Sequence, residues 1–315
     1  LKSHPAELTL RDLSSGAQED IDDELARRME ADRRRGFDLQ RDSLLRITVF
    51  RLGEDQFAIL VSQPHINYDG VSAVVFMKEL FVDFMLNEMG QKTLELPEVQ
   101  YKSYMRWLSG KDKEETLDYW RKELAGLGPM TLTPGRRASG NGYEQASSTL
   151  EIDEERSKRV MALQGHCQAT LFNILQAAWG AMLCSINGVD DVAFGAISSG
   201  RPEGVENADL IMGGMVNALP VRVGSGGDVT LRALAKSLQD KFALTMKYGQ
   251  CAPDEIAEAL HREEPLFDHL LNSHLAMAGV NLDGVSALPG VTLLDVQSFD
   301  HLAADLCVYF ARQKG

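Results

Sequence analysis

The spacing of apolar and polar side chains predicts a β-hairpin followed by a long helix in the first third of the chain. Residues 44–51 partly alternate between apolar and polar side chains, and an apolar run resumes over residues 56–63 after a turn at Gly53. Alternation is typical of strands, and a short glycine-containing turn between two such runs is typical of a hairpin. Residues 71–89 instead repeat apolar side chains at helical spacing, so we expect the hairpin to lead into a helix.

The core face of this predicted helix should carry Val71, Val74, Val75, Leu80, Phe81, Phe84 and Met85. Further helices are predicted over residues 19–35, 101–108, 113–127, 153–164, 171–186, 231–246 and 254–261. Further strands are predicted over residues 147–152, 191–197, 215–223, 270–276, 290–296 and 304–310. Because both element types occur throughout the chain, the predicted fold class is α/β with mixed α+β character.

A segment rich in glycine, proline and serine separates the two halves of the pattern. It extends over residues 126–143, and such a composition is typical of a linker. We therefore predict an N-terminal lobe over residues 1–128, a linker over 129–142 and a C-terminal lobe over 143–315.

Composition and charge exclude several classes of function. With 315 residues, of which 44% are apolar and 25% charged, the chain has a globular composition and room for two lobes. A formal net charge of −14 argues against a nucleic-acid-binding surface, which requires concentrated lysine and arginine. Charged residues such as Lys78, Glu79 and Asp83 interrupt the apolar stretches, so no membrane span is expected.

The cysteine pattern indicates reduced thiols rather than a metal site. Cys167, Cys184, Cys251 and Cys307 are scattered without CxxC or Cys/His ligand spacing. The first residues also lack the apolar core of a signal peptide. We expect buried thiols in a cytoplasmic protein that holds no metal or intrinsic cofactor.

The loop between the predicted hairpin and helix is the best candidate for a reactive site. His65 can exchange a proton near neutral pH, while Asp69 and Gly70 suit the start of a helix. At this point His65 has two interpretations, a satisfied structural side chain or a catalytic group oriented by the loop. Asp69 is either a helix-start carboxylate or a buried anion that requires a cationic partner.

Two polar residues in the second half are candidates for the same site. Arg201, which follows an apolar strand, is the best partner for Asp69, although a loop arginine is commonly exposed. Asn217 lies inside an apolar run and either caps backbone groups or hydrogen-bonds a ligand. The sequence contains no phosphate-loop, GxGxxG, HExxH or GxSxG motif. It therefore does not indicate a phosphate-binding loop, a metalloprotease or an α/β-hydrolase.

Several sequence elements in order resemble those of nonribosomal peptide synthetase condensation domains. Residues 64–70, Pro-His-Ile-Asn-Tyr-Asp-Gly, resemble the HHxxxDG motif, with His65 as its second histidine. The segment Y-K-S-Y-M-R-W, the pair Y-W, the turn S-G-R-P, the run G-G-M-V-N-A-L-P-V-R and the element P-L-F-D are similar to the family's later motifs. They lie at residues 101–107, 119–120, 199–202, 213–222 and 265–268. Together these elements cover essentially the whole chain and are more specific than HxxxDG alone.

The resemblance implies a fold of two chloramphenicol acetyltransferase-like lobes in a V-shaped pseudo-dimer, with an amide-forming site where they meet. It implies donor and acceptor peptidyl carrier proteins and an adjacent adenylation domain as partners. Their phosphopantetheine arms, rather than an intrinsic cofactor, would deliver both substrates.

The resemblance also implies roles for individual residues. By position, His65 orients or deprotonates the acceptor amine, Asp69 pairs with Arg201, and Gly70 offers its backbone amide to the developing oxyanion. The residues expected to support the site are Arg201, Asn217, Pro64 and Ser72.

The chain departs from the family pattern at Pro64, which replaces the first histidine, and at Ser103, which replaces an aspartate. We also expect the opening strand-and-helix region and the last strand of the family to be missing. Two alternatives remain: an acyltransferase that uses a free acceptor, and a non-catalytic condensation-like domain that recruits a partner.

Overall fold

The described part of the chain contains two β-sheets, each with both parallel and antiparallel strand pairs. The computed structural model describes residues 5–93, 99–128, 146–273, 291–292, 294–297 and 304–311. The first sheet has the order β1 (Glu7–Asp12), β2 (Arg46–Arg51) and β3 (Phe57–Ser62), with β1 parallel and β3 antiparallel to β2. The second has the order β5 (Asn217–Gly224), β4 (Asp191–Ser198), β6 (His269–Ser273) and β7 (Leu306–Phe310). Its β4–β5 pair is antiparallel, whereas β4–β6 and β6–β7 are parallel.

The helices of the described ranges agree with the predicted segments to within a few residues. They are α1 (Gln18–Arg35), α2 (Gly70–Glu88), α3 (Tyr101–Ser109), α4 (Lys113–Glu123), α5 (Glu154–Cys167), α6 (Leu171–Asn187), α7 (Leu231–Lys247) and α8 (Pro253–Ala259). The predicted hairpin, formed by β2 and β3, and the helix that follows it are confirmed. Helices combined with mixed sheets also confirm the predicted α/β class with α+β character.

The chain divides into two compact units. The first comprises Leu1–Phe76 together with Leu210–Gly214, and the second comprises Met77–Asp209 together with Met215–Gly315. Along the chain, the first division falls within α2. The predicted linker, residues 129–142, lies outside the described residues, so a lobe boundary there stays a prediction.

The structure corrects three expectations. Residues 147–152, expected as a strand, have no regular secondary structure, and neither do the described residues within 290–296. Phe84, placed on the core face of α2 by its spacing, is exposed, while the polar Ser72 is fully buried on that helix. Helical spacing identifies which side chains share a face, but the partners that cover each turn of that face are set by the tertiary fold.

The edge strand β1 is not among the strands predicted above. Residues 7–11 do alternate polar and apolar side chains, but Leu8 and Leu10 are exposed, so this alternation does not separate a core face from a solvent face. Its strand conformation depends on parallel pairing with β2, in which Leu8 lies opposite Ile47 and Leu10 opposite Val49. Parallel strands require a crossover, and α1 lies in the connection that provides it.

A buried arginine ties α1 to the hairpin in the first unit. The Arg46 side chain is 4% exposed, and its guanidinium lies 3.0 Å from Asp32 Oδ1 and donates to the backbone oxygen of Gly36 at 2.7 Å. Ser62, the last residue of β3, donates its hydroxyl to Asp32 Oδ2 at 2.5 Å. Because Ser62 is also paired with Arg46 across the sheet, this network fixes the point where β3 ends and the candidate site begins.

The core of the second unit is built from two clusters of apolar side chains. One is centred on Trp120, which is buried and donates its indole N–H to the Tyr248 backbone oxygen at 2.9 Å. The other packs α6 against the second sheet and includes Ile174, Leu183, Phe194 and Leu271. Trp120 therefore packs in this core, with a hydrogen bond that satisfies its one donor.

None of the described helices is by itself both long and apolar enough to cross a membrane; α5 and α6, joined at a 97° bend, meet those two criteria only as a pair.

The Arg46 network leads to a prediction about stability. Arg46→Met should lower the free energy of unfolding by about 3 kcal/mol, the lower end of the range for a broken buried pair, because Asp32 keeps some contact with solvent. The matched control is Arg34→Met, since Arg34 on α1 is 79% exposed in its ion pair with Glu30 and should contribute less than about 0.5 kcal/mol. Urea unfolding of both variants measures the difference, and equal effects would contradict the assignment.

Candidate active site

A short turn carries His65 from the end of β3 to the start of α2. Residues His65–Asn67 form a single turn of 3-10 helix, and the backbone of Pro64 before it is extended, with φ −80° and ψ 144°. Proline prefers a φ near this value, so Pro64 fits the loop without strain. The His65 side chain is exposed on this turn and is therefore accessible to a substrate.

Asp69 is the buried cap of α2. Its carboxylate is 1% exposed, and Oδ1 accepts hydrogen bonds from the Ser72 backbone N–H at 2.9 Å and from the Ser72 hydroxyl at 2.8 Å. The backbone oxygen of Asp69 accepts from the Ala73 N–H at 2.9 Å, the first turn of the helix. The helix-start interpretation of Asp69 is thus realised, because a side-chain oxygen satisfies an N–H that no intrahelical carbonyl can reach.

Gly70 is the first residue of α2. The first N–H groups of a helix have no intrahelical acceptor and lie at the positive end of the helix dipole. An oxygen that gains negative charge near Gly70 would therefore meet a fixed donor and a favourable field. The structure places Gly70 at this helix start, and its role as an oxyanion donor stays a prediction.

Tyr68, between the turn and the cap, is a site residue that the sequence reasoning did not single out. Burial raises the pKa of its phenol to about 12, and the neighbouring Asp69 carboxylate contributes to the rise. The phenol is consequently neutral in the folded protein over the physiological range, and a second negative charge is kept away from Asp69. The one feature of the sequence that points to Tyr68 as a site residue is its position directly before Asp69.

In the second unit, a glycine with positive φ holds the turn that contains Arg201. Gly200 has φ +63°, and a Cβ added there would lie 1.6 Å from the Met215 backbone oxygen. Only glycine permits this approach, which explains why Gly precedes Arg in the turn. The partly buried Arg201 donates from Nη1 to the Ser199 oxygen at 3.0 Å, and its pair with Asp69 stays a prediction.

Arg201 also lies near the aromatic residues of α3. Burial raises the pKa of Tyr104, Tyr101 adds to the rise, and the positive charge of Arg201 opposes it. Tyr104 in turn stacks on Trp107, with ring centroids 6.1 Å apart. The aromatic segment of residues 101–107 therefore forms part of the surroundings of the Arg201 turn.

Asn217 uses its side-chain donors on the protein backbone. Its Nδ2 donates to the oxygens of Gly249 and Cys251 at 2.9 and 2.8 Å, which ties the start of β5 to the turn after α7. Of the two interpretations left open by the sequence, backbone capping accounts for both N–H groups. The carbonyl of this amide is the atom with capacity to accept from a ligand.

A cavity of about 420 Å³ in the second unit involves none of these residues. Charged side chains line it, but Arg222 is paired with Asp191 and Lys241 with Glu123. Within the described ranges, no group of three or more His, Cys, Asp or Glu side chains is placed to hold a metal ion. The loop of His65 therefore has the strongest chemical argument among the candidate sites.

The shifted Tyr68 pKa predicts a contribution to the alkaline stability of the protein. An unfolded tyrosine ionises near pH 10, whereas Tyr68 in the folded state ionises near 12, so the contribution is present below pH 10 and is lost as pH rises toward 12. Tyr68→Phe should therefore lose less stability between pH 9 and pH 11.5 than the unsubstituted protein. Urea unfolding at each pH tests this, the two curves should run parallel from pH 7 to 9, and parallel curves above pH 10 would refute it.

Comparison with known proteins identifies the family. A family model described as Condensation domain matches residues 1–278. Gramicidin S synthase 2 of Brevibacillus brevis is 27% identical over 313 residues, which is 98% of this chain and 7% of that protein. Surfactin synthase subunit 3 of Bacillus subtilis (strain 168) is 31% identical over 280 residues, or 88% of this chain and 22% of that protein. The chain thus spans a small fraction of the length of these synthetases.

Solved structures agree in fold. The X-domain from teicoplanin biosynthesis has a TM-score of 0.77 at 21% identity, with 98% of this chain and 70% of that chain covered. A mutant of the starter condensation domain of rhizomide synthetase, in complex with C8-CoA and Leu-SNAC, has a TM-score of 0.71 at 16% identity, with 85% and 61% covered. Because the family model matches most of the sequence and the fold is that of its solved relatives, the chain belongs to the condensation domains of nonribosomal peptide synthetases.

Proposed function

We propose that this condensation domain joins a donor acyl or peptidyl thioester to the amine of an acceptor aminoacyl thioester, with both substrates on phosphopantetheine carrier proteins. The observation that carries the proposal is the exposed His65 on a turn directly before the buried cap of α2. Family membership supports the reaction class, and the local geometry supports the residue.

The reaction requires one bond to form and one to break. The acceptor nitrogen attacks the donor thioester carbon, the carbon–sulfur bond breaks with its electron pair on sulfur, and the amine proton reaches the departing thiolate, either directly or by way of His65. Negative charge develops on the thioester oxygen during attack, and the Gly70 N–H at the start of α2 is the proposed donor to it. The amide product remains on the acceptor carrier.

Positioning is the main contribution expected from the protein. A neutral amine is already a good nucleophile, and holding two reactants in the correct geometry contributes up to about 7–11 kcal/mol. His65 therefore acts chiefly as an oriented acceptor for the amine N–H, with proton transfer as a second contribution. The rigid support of its turn matters for this reason.

The proposed partners are the donor and acceptor peptidyl carrier proteins and an adjacent adenylation domain. Membership of the condensation domains and similarity to peptide synthases support these partners, whose phosphopantetheine arms would deliver both substrates. The four cysteines are free thiols, three of them buried, which supports a reducing cytoplasmic location.

A partner-recruiting domain without catalysis is the second candidate. The related X-domain has been solved in a complex with OxyB, and Pro64 replaces the first histidine of the motif in this chain. The fit of Pro64 to its backbone conformation removes one structural objection to catalysis. Both candidates, and an acyltransferase that uses a free acceptor, are separated by the same assay.

The assay mixes the protein with a loaded donor carrier and a loaded acceptor carrier and determines the mass of the acceptor arm by intact-protein mass spectrometry. Transfer that requires both carriers supports the proposal. Transfer to a free amine or alcohol supports the free-acceptor enzyme, and tight carrier binding without transfer supports the recruiting domain.

His65→Ala should lower the transfer rate by about 100-fold, because an oriented proton acceptor is lost. His166→Ala is the matched control, since His166 is an exposed histidine on α5 in the second unit and should leave the rate unchanged. Wild-type turnover by the folded His65→Ala protein would refute the catalytic assignment.

The proposed Asp69–Arg201 pair has a separate test. Arg201→Ala should lower transfer and should also lower the free energy of unfolding by about 3 kcal/mol, because the buried Asp69 carboxylate would lose its cation. Arg232→Ala, at an exposed position on α7, is the control for loss of a positive charge. An unchanged melting temperature for Arg201→Ala would count against the pair.

A further inference from the structure

A short segment from late in the chain packs against the His65 loop. This crossing segment, Leu210–Gly214, belongs to the first unit although the residues on either side of it belong to the second. Ile211 within it is 1% exposed, so the segment is anchored in the interior rather than lying loosely on the surface. Its last two residues, Gly213 and Gly214, lie at the candidate site.

Ser72 joins this segment to the cap of α2. Its side chain is fully buried, and its hydroxyl oxygen accepts a hydrogen bond from the Gly213 N–H at 3.0 Å. The same hydroxyl lies 2.8 Å from Asp69 Oδ1 and 3.2 Å from the Gly213 oxygen. A serine has one proton to donate, and the shorter distance and the negative charge direct it to the Asp69 carboxylate. Ser72 thus receives from the crossing segment and donates to the cap.

Gly214 brings the crossing segment against the backbone of the His65 turn. A Cβ added at Gly214 would lie 3.2 Å from the His65 oxygen and 3.3 Å from the Ile66 oxygen, which is tighter than ordinary contact. The turn is therefore held from two directions, by the capped end of α2 and by the crossing segment. Ser72 is the side chain that bonds to both supports.

We propose that Ser72 is a positioning residue for His65, which it holds in place by docking the crossing segment onto the turn. The catalytic part of this inference rests on the proposed function, whereas the structural part does not. A loss of the Ser72 hydroxyl would break its hydrogen bonds to Gly213 and to Asp69, and the crossing segment would hold the His65 turn less firmly. Small displacements of a positioned group lower turnover more than they lower substrate affinity.

The test compares Ser72→Ala with Ser72→Thr, which keeps the hydroxyl, and with the control Ser185→Ala at an exposed position on α6. Two readouts are taken: kcat and KM for carrier-to-carrier transfer, and NMR spectra of histidine-labelled protein. The His65 signal is assigned by its absence from His65→Ala, and signals of exposed histidines such as His166 and His261 are internal references. The NMR readout needs no catalysis.

For Ser72→Ala we expect kcat to fall by about 10- to 100-fold with KM for each carrier changed by less than about threefold. The His65 signal should shift or broaden while the reference signals stay in place. Ser72→Thr should restore at least part of both properties, and Ser185→Ala should match the unsubstituted protein. If the unsubstituted protein shows no transfer at all, the proposed function is refuted. A shifted His65 signal in Ser72→Ala would still support the positioning inference in that case.

An unchanged His65 signal in folded Ser72→Ala would overturn the inference, whatever the value of kcat. If Ser72→Ala fails to fold, Gly214→Ala replaces it, because that variant keeps every Ser72 hydrogen bond and presses a methyl group on the His65 and Ile66 oxygens. The His65 signal should then move while the reference signals remain, and an unmoved signal would equally overturn the inference.

Discussion

The capping of α2 by a buried carboxylate is the interaction on which the candidate site depends. A carboxylate that is 1% exposed is stable only when donors surround it, and the first turn of α2 supplies two of them through Ser72. This requirement fixes where the helix begins, and the start of the helix fixes the direction of the Gly70 N–H. It also fixes the length of the turn that presents His65. The buried charge, the start of the helix and the exposed position of His65 thus all depend on Asp69.

The second unit satisfies a different kind of constraint, the close approach of backbone to backbone. Gly200 allows the Arg201 turn to lie against Met215, and Asn217 ties β5 to the backbone after α7. The glycine of the Gly-Arg motif and the asparagine of the Val-Asn motif are therefore explained by backbone geometry before any contact with substrate is considered. A residue that recurs in a motif for a catalytic enzyme can serve mainly to hold the chain in place.

The sequence was sufficient for elements whose signal is local. The hairpin of β2 and β3 has both alternation and a turn, and α2 has a long periodic pattern, so both were predicted close to their observed bounds. Gly70 and Asp69 were placed at a helix start for the same reason. The edge strand β1 was not predicted, because its pairing partner β2 is remote in sequence and its leucines do not form a buried face.

Other features depend on packing that no local pattern encodes. Helical spacing places apolar side chains in the core and polar ones in solvent, yet Phe84 is exposed and Ser72 is buried. The burial of Ser72 is possible because its hydroxyl has hydrogen-bond partners in the interior. The family motifs identified Gly213 and Gly214 as residues of interest, yet gave no indication that they contact the loop of His65. The hydrogen bond between Ser72 and Gly213 that accompanies this contact joins residues 141 positions apart, and only a tertiary structure reveals it.

The crossing segment also has a consequence for the order in which the protein is made. A ribosome synthesises the chain from its N-terminus, and early segments begin to fold while later ones are still absent. The β-hairpin, α1 and the His65 turn are complete once residue 76 has emerged, but Gly213 and Gly214 follow much later. During that interval the Ser72 hydroxyl lacks the hydrogen bond from the Gly213 N–H, and the His65 and Ile66 carbonyls lack the close approach of Gly214. The His65 loop therefore reaches its final form only after much of the second unit has been translated.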